Sequence, residues 1–251
     1  MMLEIKDISK TYDNGHKAIK NISFSIADGE FLSIIGPSGA GKSTVLRSIN
    51  QLITDDSGQI LFNDQDIRQA NKQQLRKIRA QIGMVFQNYN LVGRLSAIEN
   101  VLHGALGRKS TISGALGWYT LSEKQSAAAL LDLVGLGDFI YTRANELSGG
   151  QMQRVGIARA LMQEPKIILT DEPIASLDPQ STTVVMDYLK KIAVEMNITV
   201  IANLHQVEIA KKYSDHIVGI NNGQVVFNGQ PNELTPAQIV NVYGNDVGAI
   251  E

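Results

Sequence analysis

The spacing of apolar residues changes along the chain, and each change predicts an element. Leu3, Ile5 and Ile8 interleave with Glu4, Lys6 and Asp7, the alternation of a half-buried strand. Asp13-Asn14-Gly15 is a turn signal, and Ile22, Phe24 and Ile26 then alternate with polar or small residues as a second strand. Phe31-Leu32-Ser33-Ile34-Ile35 is nearly continuous, which predicts a strand covered on both faces. A helix-compatible stretch follows from Thr44 to about Gln51. Residues 166–170 and 199–202 are two more buried-strand candidates, and between them Val185, Tyr188, Leu189, Ile192 and Met196 recur at helical spacing. Strand, helix and strand in that order predict a parallel βαβ unit. From roughly Leu91 to Met162 the pattern is mostly helical and clearest over Ala127–Val134, with a loop expected from Gly104 to Gly117. Asn222-Gly223 between Ile217-Val218 and Val225-Val226-Phe227 predicts a hairpin. There are no repeats and no low-complexity linker, so one folded unit with a helical insertion is expected.

Composition narrows the classes. With 43% hydrophobic and 19% charged residues in 251, the chain is globular rather than disordered. Twenty-three Lys and Arg against 25 Asp and Glu leave a formal charge of −2, so no global basic field attracts nucleic acid or anionic lipid. No apolar run approaches the ~18 residues of a membrane span, and Met1–Lys6 lacks the basic-then-apolar layout of a signal peptide. The absence of cysteine excludes disulfides, thiol chemistry and Cys-zinc sites and fits a cytoplasmic location.

The chemistry starts where the continuous strand ends. Gly36-Pro37-Ser38-Gly39-Ala40-Gly41-Lys42-Ser43 fits G-x-x-x-x-G-K-[ST], between a strand and a helix that opens at Thr44. Small residues let successive backbone N–H groups turn onto phosphates, and the helix N-terminus adds positive potential. Lys42 would reach the β- and γ-phosphates, and the Ser43 hydroxyl would ligate Mg²⁺. A second magnesium anchor is needed, and Asp171 at the end of an apolar strand supplies it. Glu172 follows at once, placed to orient or deprotonate a water attacking the γ-phosphate. A third feature is Leu147-Ser148-Gly149-Gly150-Gln151. Ser148 can cap the helix that follows, and the glycines leave its first N–H groups open to a phosphate.

That string, in a chain with a phosphate loop, resembles the signature of the ATP-binding cassette (ABC) ATPases, and the likeness covers nearly the whole chain. It implies an α/β P-loop NTPase core (about 1–90 and 163–251) with N-terminal antiparallel β elements and an inserted α-helical subdomain (about 91–162). It implies ATP and Mg²⁺ as cofactors, with the phosphate set running from Gly36 through Thr44. Tyr12 matches the aromatic that stacks on adenine, and Gln87, after a strand over Ile82–Phe86, matches the glutamine on Mg²⁺ and the attacking water. Ser176-Leu177-Asp178 matches the loop crossing the dimer interface, with Asp178 near nucleotide, and His205 matches the switch histidine on the γ-phosphate. The chain departs from the family pattern at Thr170, a break in the apolar run before Asp171, and at Gln206, where many relatives carry an acid.

The resemblance further implies two cassettes packed head to tail, each ATP lying between Lys42 of one and Ser148, Gly149, Gly150 and Gln151 of the other. Transmembrane permease subunits, reached through a groove near Gln87, and a binding protein outside the membrane complete an importer. The cassette itself is peripheral on the cytoplasmic face of the inner membrane. The 103 residues between Ser43 and Leu147 are too few for the coiled coil of chromosome-maintenance relatives. Clusters such as Arg76-Lys77 with Arg79 read as solvated helix faces, so a nucleic-acid role is the weaker alternative. Leu102–Thr111, Trp118-Tyr119, Pro173–Pro179 and Asn203–Glu208 are most similar to phosphonate importer ATPases. Phosphite, phosphate or amino-acid import are the alternatives.

Overall fold

The computed structural model describes residues 2–109, 113–114 and 116–244. Ser110 and Thr111, the end of one stretch that carries the phosphonate resemblance, lie outside the described residues, as does part of the loop expected over Gly104–Gly117. The chain divides into two compact units, Met1–Leu75 with Lys190–Glu251, and Arg76–Leu189.

In the first unit, β1 (Leu3–Thr11) pairs antiparallel with β2 (Lys17–Ile26) and with β4 (Ser57–Phe62), and β5 (Gln65–Asp66) completes the order β2-β1-β4-β5. Leu3 and Ile5 meet Ile26 and Phe24 on one side and Phe62 and Ile60 on the other, so the expected alternation becomes a continuous apolar face. β4 and β5 are strands that the periodicity did not mark. A second sheet holds β10 (Gln224–Gly229), β9 (His216–Asn221), β3 (Phe31–Ile35) and β8 (Thr199–Asn203) in that order. β3 lies parallel to both β8 and β9, and all five of its residues are buried, as its continuous apolar run requires. The hairpin expected at Asn222-Gly223 joins β9 to β10, and both residues have positive φ (48° and 77°), the type I′ geometry. Helix α1 (Lys42–Ile49) follows β3, and α7 (Val207–Tyr213) and α8 (Pro236–Tyr243) pack in the same unit.

One buried polar knot braces α1. The Ser48 hydroxyl lies 2.9 Å from the Thr44 carbonyl and 2.6 Å from Asp55 Oδ1. It has one proton to give. The Thr44 carbonyl and the Asp55 carboxyl therefore compete for that proton. Burial pushes the Asp55 pKa up, against smaller opposing effects of Ser48, Arg68 and Lys10.

The second unit carries β6 (Ile82–Val85), parallel to β7 (Ile167–Asp171), and the helices α3 (Ala97–Leu102), α4 (Leu121–Leu133) and α5 (Gly149–Leu161). β6 ends one residue before the expected Phe86. Ser96 and Thr120 open α3 and α4 with full capping boxes to Glu99 and Glu123. Helices α2 (Lys72–Arg79) and α6 (Pro179–Met196) carry the chain between the units. The expected loop is in part a 3₁₀ helix, His103–Arg108. Gly104 lies so close to α5 that a Cβ there would meet Met162 Cβ at 2.9 Å, and the Arg108 guanidinium donates to the Met162 carbonyl at 2.8 Å. Packing on α5 orders a backbone that glycine and serine alone mark as open. Thr170 is fully buried on β7, and its hydroxyl has no hydrogen-bond partner among the described residues.

Candidate nucleotide site

The phosphate loop joins β3 to α1, and its glycines are placed where no other residue fits. Gly36 (φ 148°) and Gly41 (φ 106°) take left-handed backbone, and a Cβ on Gly41 would lie 2.5 Å from the Ala18 carbonyl. Gly41 is also the N-cap of α1, with no side-chain capping bond and no acidic residue in the first turn. A helix N-terminus left to its own dipole, behind a glycine turn, suits a phosphate. Lys42 is 5% exposed, and its ammonium donates to the Gly36 and Pro37 carbonyls at 2.8 and 3.0 Å. The charge is thereby held over the mouth of the loop. Ser43 is half-buried and Thr44 buried, while Ser38 and Gly39 at the tip are exposed.

The same unit brings Tyr12 and His205 to this loop. The Tyr12 hydroxyl is 3.2 Å from Thr44 Oγ1, which sets the ring against the start of α1. Leu204 N–H donates to the Ile34 carbonyl at 3.0 Å, so His205 leaves β8 beside the end of β3. The loop is also tied from the C-terminal part of the chain. Gly223 N–H donates to the Ala40 carbonyl at 3.1 Å. The Tyr243 phenol donates to the His205 carbonyl at 3.0 Å. Burial pushes the Tyr243 pKa up to about 12, so the phenol stays protonated throughout the neutral range. Nothing in the sequence pattern singled out Tyr243, because a tyrosine ending an amphipathic helix reads as core.

The second unit holds the other expected residues. Ser148 is the exposed N-cap of α5, and it forms a reciprocal box with Gln151: Ser148 N–H donates to Gln151 Oε1 at 2.8 Å, and Gln151 N–H donates to Ser148 Oγ at 3.3 Å. A Cβ on Gly150 would meet Ser181 Oγ at 2.8 Å, and one on Gly149 would meet the Tyr89 hydroxyl at 2.9 Å. Small residues here let α6 and the segment after β6 approach the start of α5. That segment begins at exposed Gln87, and Arg159 of α5 holds it by donating to the carbonyls of Asn90 (2.5 Å) and Tyr89 (2.8 Å). Asp178 accepts the Ser181 N–H at 2.9 Å, and the hydrogen bonds from Ser181 hold its pKa below the ordinary aspartate value. Asp171 ends β7, and Glu172 has a left-handed backbone with φ 52°.

Comparison with known proteins agrees with this geometry. A family model described as ABC transporter matches residues 19–175. The phosphonates import ATP-binding protein of Lactiplantibacillus plantarum is 60% identical over 96% of this chain and 94% of its own length. That of Treponema denticola is 56% identical over 93% and 91%. Among solved structures, the ATP-binding cassette MJ0796, in a dimeric post-hydrolysis state bound to ADP and Pi, superposes with a TM-score of 0.80 at 36% identity, covering 92% of this chain and 99% of its own. CbiO1 of Clostridium perfringens, part of an ABC transporter complex, gives 0.83 at 30% identity over 99% and 98%. The chain belongs to the ABC transporter family, as an ATP-binding, ATP-hydrolysing subunit.

Proposed function

We propose that this chain hydrolyses ATP to drive import of phosphonates. The observation that carries the reading is the phosphate loop, an uncapped helix start behind left-handed glycines with Lys42 held at its mouth. The cargo rests on kinship with phosphonate import proteins.

Each side chain takes one role. Tyr12 stacks on adenine, and Gly36 through Thr44 hold the phosphates. Glu172 orients and deprotonates the attacking water, and His205 contacts the γ-phosphate. Hydroxyl, amide and carboxylate oxygens at Ser43, Gln87 and Asp171 are hard donors of the kind Mg²⁺ selects. When bound, Mg²⁺ neutralises charge on the β- and γ-phosphates. Asp178 and the start of α5, where Ser148 is exposed and Gly149 and Gln151 are half-buried, act with Gly150 on the nucleotide of a second copy. The domain reading is a single cassette, with a core of about 1–90 and 163–251 and a helical subdomain of about 91–162.

Permease subunits, which receive cargo from a binding protein outside the membrane, are the proposed partners. We place them near Gln87; a groove of about 1160 Å³ in the second unit, with Arg94, Leu102, Tyr119, Leu121 and Arg143 among its walls, is not lined by Gln87. Among the described residues no helix is long and apolar enough to cross a membrane. Peripheral attachment at the cytoplasmic face is proposed on the kinship with import ATP-binding proteins.

The test is growth of a strain that lacks the gene but retains phosphonate-degrading enzymes and no second importer. Failure on a simple phosphonate as sole phosphorus source, with normal growth on phosphate, is expected. Rescue should come from the intact gene and not from Glu172→Gln. Normal growth on phosphonate would overturn the cargo and leave the ATPase standing.

A further inference from the structure

The usual acid after the switch histidine is Gln206 here, so another group must set His205. Gln206 is exposed and gives α7 no side-chain capping bond. The His205 backbone is held on both sides. Leu204 N–H is tied to Ile34, and the His205 carbonyl accepts from the Tyr243 phenol at 3.0 Å. Tyr243 is 9% exposed at the end of α8, and the helix is itself anchored. Asn221 donates to the Asn241 carbonyl at 3.1 Å, and Val242 packs fully buried where a Cβ on Gly219 would meet it at 2.6 Å. One hydroxyl thus ties the C-terminal helix to the turn after β8. A phenol is suited to this, since its one proton can be given to a carbonyl. Phenylalanine would fill the same volume without that bond.

We propose that Tyr243 is a positioning residue for ATP turnover, fixing the turn that carries His205 to the C-terminal helix. Tyr243 acts through His205. The inference rests on the ATPase reading. With this bond intact, the imidazole holds its place. Without it, the His205 turn shifts, and a small misplacement of a catalytic group costs rate more than affinity.

The test uses the purified full chain. Tyr243→Phe should lower kcat by about tenfold, the effect of one hydrogen bond felt in the transition state, with the KM for MgATP within about twofold of wild type. A double-mutant cycle with His205→Ala separates positioning from loss of fold, with slow rates read from radiolabelled ATP over hours. If Tyr243 works through His205, Tyr243→Phe has no further effect on kcat in the His205→Ala background. Wild-type kcat in Tyr243→Phe, or equal fold-losses on both backgrounds, would overturn the proposal. Absence of ATP hydrolysis by the wild-type chain would instead overturn the ATPase reading.

Discussion

The phosphate loop and the start of α5 are both glycine-rich entries into a helix, yet they are finished in opposite ways. At α1 the N-cap is a left-handed glycine without a side-chain bond, and the lysine behind it is buried against loop carbonyls. At α5 the N-cap is Ser148, and its box with Gln151 satisfies two of the helix's own end groups. A missing cap costs about 1 kcal/mol, so α1 is left unfinished for a ligand. The start of α5 has its end groups satisfied, and its N-cap Ser148 is exposed. The first is a site awaiting an anion, and the second is a surface made to be presented. That contrast fits the proposed pair, in which one copy supplies the phosphate loop and the other the start of α5.

The contrast can be broken at several points. The largest effect belongs to Glu172→Gln, which removes the base and keeps the shape. Hydrolysis should slow by about 10²- to 10⁴-fold while ATP still binds, and near-normal steady-state turnover would remove Glu172 from that role. Lys42→Ala should weaken ATP binding by roughly a hundredfold, the scale of a lost charge-assisted contact. Unchanged affinity in a titration with a fluorescent nucleotide would contradict the assignment of the loop.

Ser148→Ala tests the other helix start. Losing the box should destabilise the chain by about 1 kcal/mol, or about 2–4 °C in melting temperature for a protein of this size. The same substitution at a helix start that was already uncapped would leave the melting curve in place. The smallest effect concerns the brace beneath α1. Burial raises the Asp55 pKa, so its favourable contribution is complete below the ordinary value of 3.8 and is lost as the pH rises through its folded value. Asp55→Asn should therefore melt higher than wild type at neutral pH, and the gap should close as the pH falls toward 4. A gap that widens on acidification would reverse the assignment.

Much of this was legible from residue spacing. Gly36 to Ser43 declares itself because the chemistry dictates both residue type and interval, and Phe31–Ile35 because a strand buried on two faces has no polar positions to spare. Ser148 and Gln151 sit at the separation of a capping box, and the structure forms one. Other features leave little local trace. β4 carries only two fully inward apolar positions, Ile60 and Phe62, and its neighbour β1 lies some fifty residues away in sequence. His103–Arg108 is ordered by Arg159 and Met162 of a distant helix, against its own glycine content. Tyr243 meets His205 only through tertiary folding, and Thr170 looks like a harmless break in an apolar run until its hydroxyl is seen buried with no partner among the described residues.

The central claim is that one chain carries two complementary halves of an ATP site and that two chains complete it. The most direct measurement is the solution mass of purified Glu172→Gln with and without ATP, by light scattering on a sizing column. The account predicts a mass near 27.4 kDa without nucleotide and near twice that with ATP, and reversion to the smaller species when Ser148→Arg is added to block the half-site. A variant that binds ATP yet stays at the single-chain mass at every concentration would contradict it.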